Sequence, residues 1–123
     1  MKYLCLGYYD ADASKRISRA ELDAIVSRCP QYDQDLLASG KVRTVASLVE
    51  DEVITVHTRG GEPATIDGPY VESKEQIGSF FVLEASDLSD AVRIASRHPA
   101  ARLGEDLGWA VEVRPIANFE EHG

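Results

Sequence analysis

The chain has 123 residues, 44% hydrophobic and 28% charged, which fits one globular domain with a core of its own and excludes a disordered polymer. Acidic residues outnumber basic ones, 21 to 13, and the net charge of -8 repels phosphate backbones and anionic lipid, so no nucleic acid and no membrane are expected as partners. No apolar run approaches the roughly 20 residues of a membrane span, and Met1–Leu6 is too short for a signal peptide. The two cysteines, Cys5 and Cys29, are too few for a disulfide scaffold or a zinc site, and their apolar surroundings suit buried free thiols in a reducing, cytoplasmic setting.

Lys2 to Tyr9 alternates like a strand. After the polar stretch Asp10–Lys15, Ser18 and Glu21 make a capping box and Ile17 with Leu22 a hydrophobic staple, so a helix starts there. Leu22, Ile25, Val26 and Cys29 continue its apolar face. Pro30 interrupts the pattern, which predicts one long kinked helix or two short ones, ending near Gly40. Val42–Val49 and Val53–Arg59 read as strands. Gly60-Gly61 reads as a hairpin turn and Ala64–Ile66 as a short returning edge strand after Pro63. A tight turn, Asp67-Gly68-Pro69, leads through the charged run Glu72–Glu75 into a strand, Ile77–Glu84. Asp87 is the expected N-cap of a second helix carrying Leu88, Ala91, Val92 and Ala95 on one face, closed by Pro99. Ala100–Gly108 reads as a loop, and Trp109–Arg114 as the last strand. There are no repeats, low-complexity tracts or linkers. This order suits an α+β ferredoxin-like split βαβ plait, one domain over 1–123, with an antiparallel sheet and both helices on one face. The other sheet face then needs a cover, and a second copy of the chain, making a homodimer, is the expected one.

The turn and charged run at the mouth of a strand are where chemistry is first sought. Asp67 reads as a general acid or base at a cleft mouth, or as an Asx-turn residue bonding the amide of Tyr70. Glu72, Lys74 and Glu75 read as a ligand clamp or as a solvated charged loop. Tyr70 offers a phenolic hydroxyl to a ligand or a packing ring. His57 shares a strand face with Thr55 and Arg59, and titrates usefully if that face lines an interior. His98 reads as a ligand-binding group, or as a cation at the end of the second helix, bonding its last carbonyls. His122 lies in the tail. Glu112 and Arg114 share a face of the last strand and can pair. The three histidines are too scattered for a metal site, and no cofactor fingerprint, nucleophile elbow or P-loop is present.

Asp67-Gly68-Pro69-Tyr70, Glu72 to Gly78, Ala91 to Arg102 through His98-Pro99, Val111 to Pro115 and the N-terminal Met1–Leu6, taken together in this order, resemble the YCII-related family. More narrowly they resemble its DGPF-type branch, named for an Asp-Gly-Pro-Phe motif. Tyr70 stands where that motif has Phe, Val71 and Ser73 where Ala and Thr are usual, and Ser79-Phe80-Phe81 where Gly-Tyr-Tyr is expected. The resemblance implies a dimeric α+β-barrel form of the ferredoxin-like fold and no defined reaction. Some members resembling this branch are encoded beside, or fused to, alternative sigma factors. Others in the wider superfamily are small isomerases, decyclising enzymes or dehalogenases. YCII proteins proper carry a suggested His–Asp pair with the His on the first helix, but Ser18–Ser39 contains no histidine, so that pair is not carried over. The expected function is therefore a small-molecule binder or enzyme with a cleft at Asp67–Glu75, using Asp67, Tyr70 or His57. The alternative is a non-catalytic module that regulates a partner such as a transcription factor.

Overall fold

The computed structural model describes every residue of the chain except Ser14. Strand β1 (Lys2–Asp10) pairs antiparallel with β5 (Glu75–Glu84) on one side and β6 (Ala110–Pro115) on the other, and β5 pairs with β2 (Val42–Ser47). The sheet order is β2-β5-β1-β6, while β3 (Ile54–Arg59) and β4 (Glu62–Asp67) form a separate two-stranded hairpin. With that hairpin set aside as an insertion, a helical segment follows the first and third strands of the sheet, and the first strand lies inside. This is the ferredoxin-like plait expected from the sequence.

Alternation along the strands decides what is buried. Tyr3 and Cys5 of β1, Phe81 and Leu83 of β5 and Val42 of β2 point to the helix side. There they meet Leu36 of α2 (Cys29–Ala38) and Ala91, Ile94 and Ala95 of α3 (Leu88–Ala95). The alternate residues, Leu4, Leu6, Phe80 and Val82, lie on the opposite face, which no helix covers, and they stay half-buried.

The first helical region is two helices. α1 (Arg19–Val26) carries the full capping box: the Glu21 amide donates to Ser18 Oγ at 3.1 Å, and the Ser18 amide donates to Glu21 Oε1 at 3.2 Å. Pro30 does not kink a continuing helix. It sits in the first turn of α2, where its missing N–H is no loss. Cys29 therefore opens α2 instead of closing the face of α1. In α3 the Asp90 amide donates to the Asp87 cap at 2.8 Å as the sequence predicts. The buried stripe is Ala91, Ile94 and Ala95, however, while Leu88 and Val92 are exposed. The eight-residue helix presents its small alanines to the sheet and fills the gap between them with Ile94. The stretch after α3 is also more regular than a loop: α4 (Pro99–Arg102) and a 3-10 turn at Glu105–Leu107 occupy it. No helix is long and apolar enough to cross a membrane, among the described residues.

Phe81 is fully buried at the middle of this core. Phe81→Ala is expected to cost about 3–5 kcal/mol in urea unfolding. Val56→Thr, a change of similar shape on the exposed hairpin, is expected to cost less than about 0.5 kcal/mol. Equal losses would mean that the hairpin belongs to the core.

Candidate functional site

The helix side of the sheet is filled by large side chains at one end and left open at the other. Past Cys5 and Phe81, the facing residues shrink to Gly7, Ser79 and Ser47. Gly7 leaves room for its neighbour's hydroxyl: a Cβ there would lie 2.1 Å from Ser79 Oγ and force it to turn away. The register slips between Gly7 and Tyr8, and a Cβ on Gly78 would come within 2.9 Å of the Tyr9 ring. The space so left is a cavity of about 610 Å³, in the size range of small-molecule sites. Its walls include Cys29, Asp33, Leu36 and Leu37 from α2, Arg43 and Val45 from β2, Tyr8 and Tyr9 from β1, and His98 and Trp109.

His98 has the most defined geometry there. α3 ends at Ala95, so His98 is not the terminal cation read from the sequence. It is the N-cap of α4, and the Ala100 amide donates to its Nδ1 at 3.0 Å. The ring is buried and stacks parallel on Phe81, with centroids 4.8 Å apart and planes 6° from each other. Burial pushes the imidazole below its ordinary range, against the opposite pull of the Asp33 carboxylate. A nitrogen that accepts from an amide must carry a lone pair, so the neutral ring holds its proton on Nε2. Nε2 has no hydrogen-bond partner among the described residues, yet it is not sealed off. His98 lines the cavity, and its Nε2–H is an N–H donor left free among the described residues.

Asp33 stands on the same cavity, half-buried, one turn after Cys29 and three residues before the buried Leu36. It makes no ion pair or side-chain hydrogen bond among the described residues, which leaves its carboxylate free to accept. Burial, and then Asp33, push the Cys29 thiol up, so this sulfur stays protonated and weakly nucleophilic. Tyr9 is likewise raised by burial and by Glu50. An N–H donor beside a free carboxylate in a largely apolar chamber suits a substrate hydroxyl or carbonyl. The carboxylate can take a proton while the imidazole N–H stabilises the oxygen that gains charge.

Of the residues singled out from the sequence, only His98 lies on this cavity. Asp67 ends β4 opposite Ile54 and is exposed, and its side chain makes no Asx turn. Other groups hold that turn instead: the Gly68 amide donates to the Val53 carbonyl at 2.7 Å and the Thr55 hydroxyl donates to the Gly68 carbonyl at 2.8 Å, with Gly68 at φ +110°. Tyr70, Glu72, Lys74 and Glu75 are all exposed. Glu75 accepts from Ser73 Oγ at 2.7 Å, and the Lys74 carbonyl accepts from the Ala11 amide at 2.7 Å. His57 is half-buried on the hairpin opposite Ala64, not inside an interior. Glu112 and Arg114 do pair, at 2.6 Å. Asp33 was missed because it reads as one acid in a polar helix. The available signal was its place on the stripe Cys29, Asp33, Leu36, Leu37. No group of three or more His, Cys, Asp or Glu side chains among the described residues could hold a metal ion.

A small α+β protein of ferredoxin-like topology, with its cavity between sheet and helices, is the class these features define. The family model for the YCII-related domain matches residues 1–120, and the chain belongs to that family. It is 27% identical to an uncharacterised protein of Rhizobium meliloti (strain 1021) over 121 residues, 98% of this chain and 95% of that one. Among solved structures it is similar to 5-chloro-2-hydroxyhydroquinone dehydrochlorinase from Burkholderia phenoliruptrix AC1100, in complex with 2,5-dihydroxybenzoquinone. The identity there is 17%, the TM-score 0.39, and the coverage 100% of this chain and 96% of that one.

The lowered His98 titration has a stability consequence. An unfolded imidazole takes its proton near pH ~6.5, and the folded one only at lower pH. Stability is therefore full above that range and falls as pH drops from about 7 toward 5.5. Asp10, Glu84 and Asp90 have carboxyls held below their ordinary range, so their losses come at lower pH. The Asp90 carboxyl owes this to the Ser86 amide and to Arg93. His98→Asn keeps an acceptor at the cap and removes the titrating ring, so its urea midpoint is expected to stay level between about pH 7 and 5.5 while that of the wild type falls. Parallel profiles would assign the slope to other groups.

Proposed function

We propose that the protein binds a ring-sized organic molecule carrying an oxygen substituent, held between the Nε2–H of His98 and the carboxylate of Asp33, and that this pair moves a proton on it. The observation that carries the reading is the division of labour on one imidazole: Nδ1 is occupied by the Ala100 amide, while Nε2 has no partner among the described residues and stays accessible. Leu36, Leu37, Val45 and the rings of Tyr8, Tyr9 and Trp109 supply apolar contact for the body of such a molecule. A phenol has the matching head, since its oxygen accepts from Nε2–H and its hydroxyl donates to Asp33. A second reading, a module that acts by binding a partner protein, draws on the hairpin and the segment after it, where Ile54, Val56 and Val71 are exposed.

The two readings separate in a titration with 4-ethylphenol followed by NMR. Wild-type protein is expected to bind it, and His98→Phe, which keeps a ring against Phe81 but lacks the N–H, to bind it at least about tenfold more weakly, as the loss of a buried hydrogen bond requires. Circular dichroism checks that the variant is folded. Absence of binding to the wild type moves the reading to the interaction module.

The homodimer is proposed on separate grounds. Helices cover one sheet face only, and the other carries an apolar centre of Leu4, Leu6, Phe80 and Val82. The ion pairs Lys2–Glu84 and Glu112–Arg114 lie on that same face around it, the arrangement of an interface core with a polar rim. Sedimentation equilibrium is expected to show a dimer for the wild type and a monomer for Phe80→Glu. A monomeric wild type would discard this proposal.

A further inference from the structure

Resting on the small-molecule reading above, we infer a second subsite under α1 that takes an unbranched apolar tail of the same ligand. α1 is locally well made, with its capping box and an Arg19–Asp23 pair at 3.1 Å. Yet it buries no residue, although Leu22, Ile25 and Val26 share one face at helical spacing. Against it lies a chamber of about 540 Å³, lined among others by Ala13, Ile17, Leu22, Val26, Leu107 and Trp109. Tyr9, Glu50 and Trp109 line this chamber and the His98 cavity alike, so the two are adjoining spaces with a shared wall.

The chemistry of the second chamber is set by which polar groups remain free. Asp10 accepts from the Asp12 amide at 2.8 Å and from Arg16 at 2.8 Å. Arg19 is paired with Asp23, and Ser18 Oγ accepts from the Glu21 amide. These groups are committed within the chain, and Glu50 stands at the junction with the first cavity. Away from that junction, where Glu50, the Tyr9 hydroxyl and the Trp109 N–H stand, the lining offered by Ala13, Ile17, Leu22, Val26 and Leu107 is apolar, which recognises hydrocarbon and rewards length rather than polarity. The inferred pose puts the ligand's oxygen at His98 and Asp33 and carries its chain by Tyr9 and Trp109, the rings both spaces share, toward Leu22 and Val26.

A homologous series, 4-ethyl-, 4-butyl- and 4-hexylphenol, tests this by calorimetric titration. Each methylene that enters the chamber is expected to tighten binding about fourfold, from roughly 0.8 kcal/mol per buried CH₂. Leu22→Trp fills the chamber and is expected to bring 4-hexylphenol to within about twofold of 4-ethylphenol, by removing that burial. Val26→Trp serves the same purpose if the first variant does not fold. An affinity that is flat along the series while 4-ethylphenol binds overturns the second subsite alone, as does a length dependence that survives the filling variants. Failure of all three phenols to bind overturns the first-cavity reading and this one with it.

Discussion

The stack of His98 on Phe81 ties the core to the cavity. Phe81 is held by the sheet, with no exposure to water, and its ring is the surface on which the imidazole lies flat. The Ala100 amide then fixes the ring's rotation by donating to Nδ1. Between them, a packing contact and one hydrogen bond decide which nitrogen is bonded within the chain, which is left free and which tautomer the neutral ring takes. A solvent-exposed histidine at the same place would sample both tautomers and both charges near neutral pH. Here the fold itself has made that choice.

The cavity itself follows from a gradient of side-chain size along the sheet. Tyr3, Cys5, Phe81 and Leu83 fill the space below α2 and α3, whereas Gly7, Ser79 and Ser47 cannot. Closing the gap by moving the helices inward would pull them off the large residues at the other end. The irregular register near Gly7 adds to the opening. Trp109 is seated by Gly104, whose left-handed backbone at φ +74° leaves no room for a Cβ, since one would lie 2.4 Å from the indole.

Periodicity and capping carried the fold because they depend on near neighbours in the chain. The box at Ser18 and Glu21, the Asp87 cap and the alternation of β1 are visible in a few residues each. The misplacements have the same physical origin. Pro30 breaks a helix in the middle but starts one at its first turn, and only the position of the turn decides between them. His98 looked like a helix-terminal cation because the sequence does not show that α3 stops at Ala95. Asp67 and the charged run drew attention through their local chemistry, whereas the cavity is assembled from residues far apart in the chain, His98, Asp33, Arg43 and Tyr9. Such a meeting has no local signature. The one legible trace was a carboxylate placed on the apolar side of α2.

Among the described residues the β3–β4 hairpin pairs with no other strand, and its ladder is its own. Two strands alone are marginal in water, so this arm has little to hold it beyond its turn chemistry and whatever it rests on. The arm's ladder can therefore open by local unfolding without breaking a bond of the four-stranded sheet. Evolution can lengthen, shorten or rewrite such an arm without disturbing the cavity. It is also the segment on which a protease would first gain a hold.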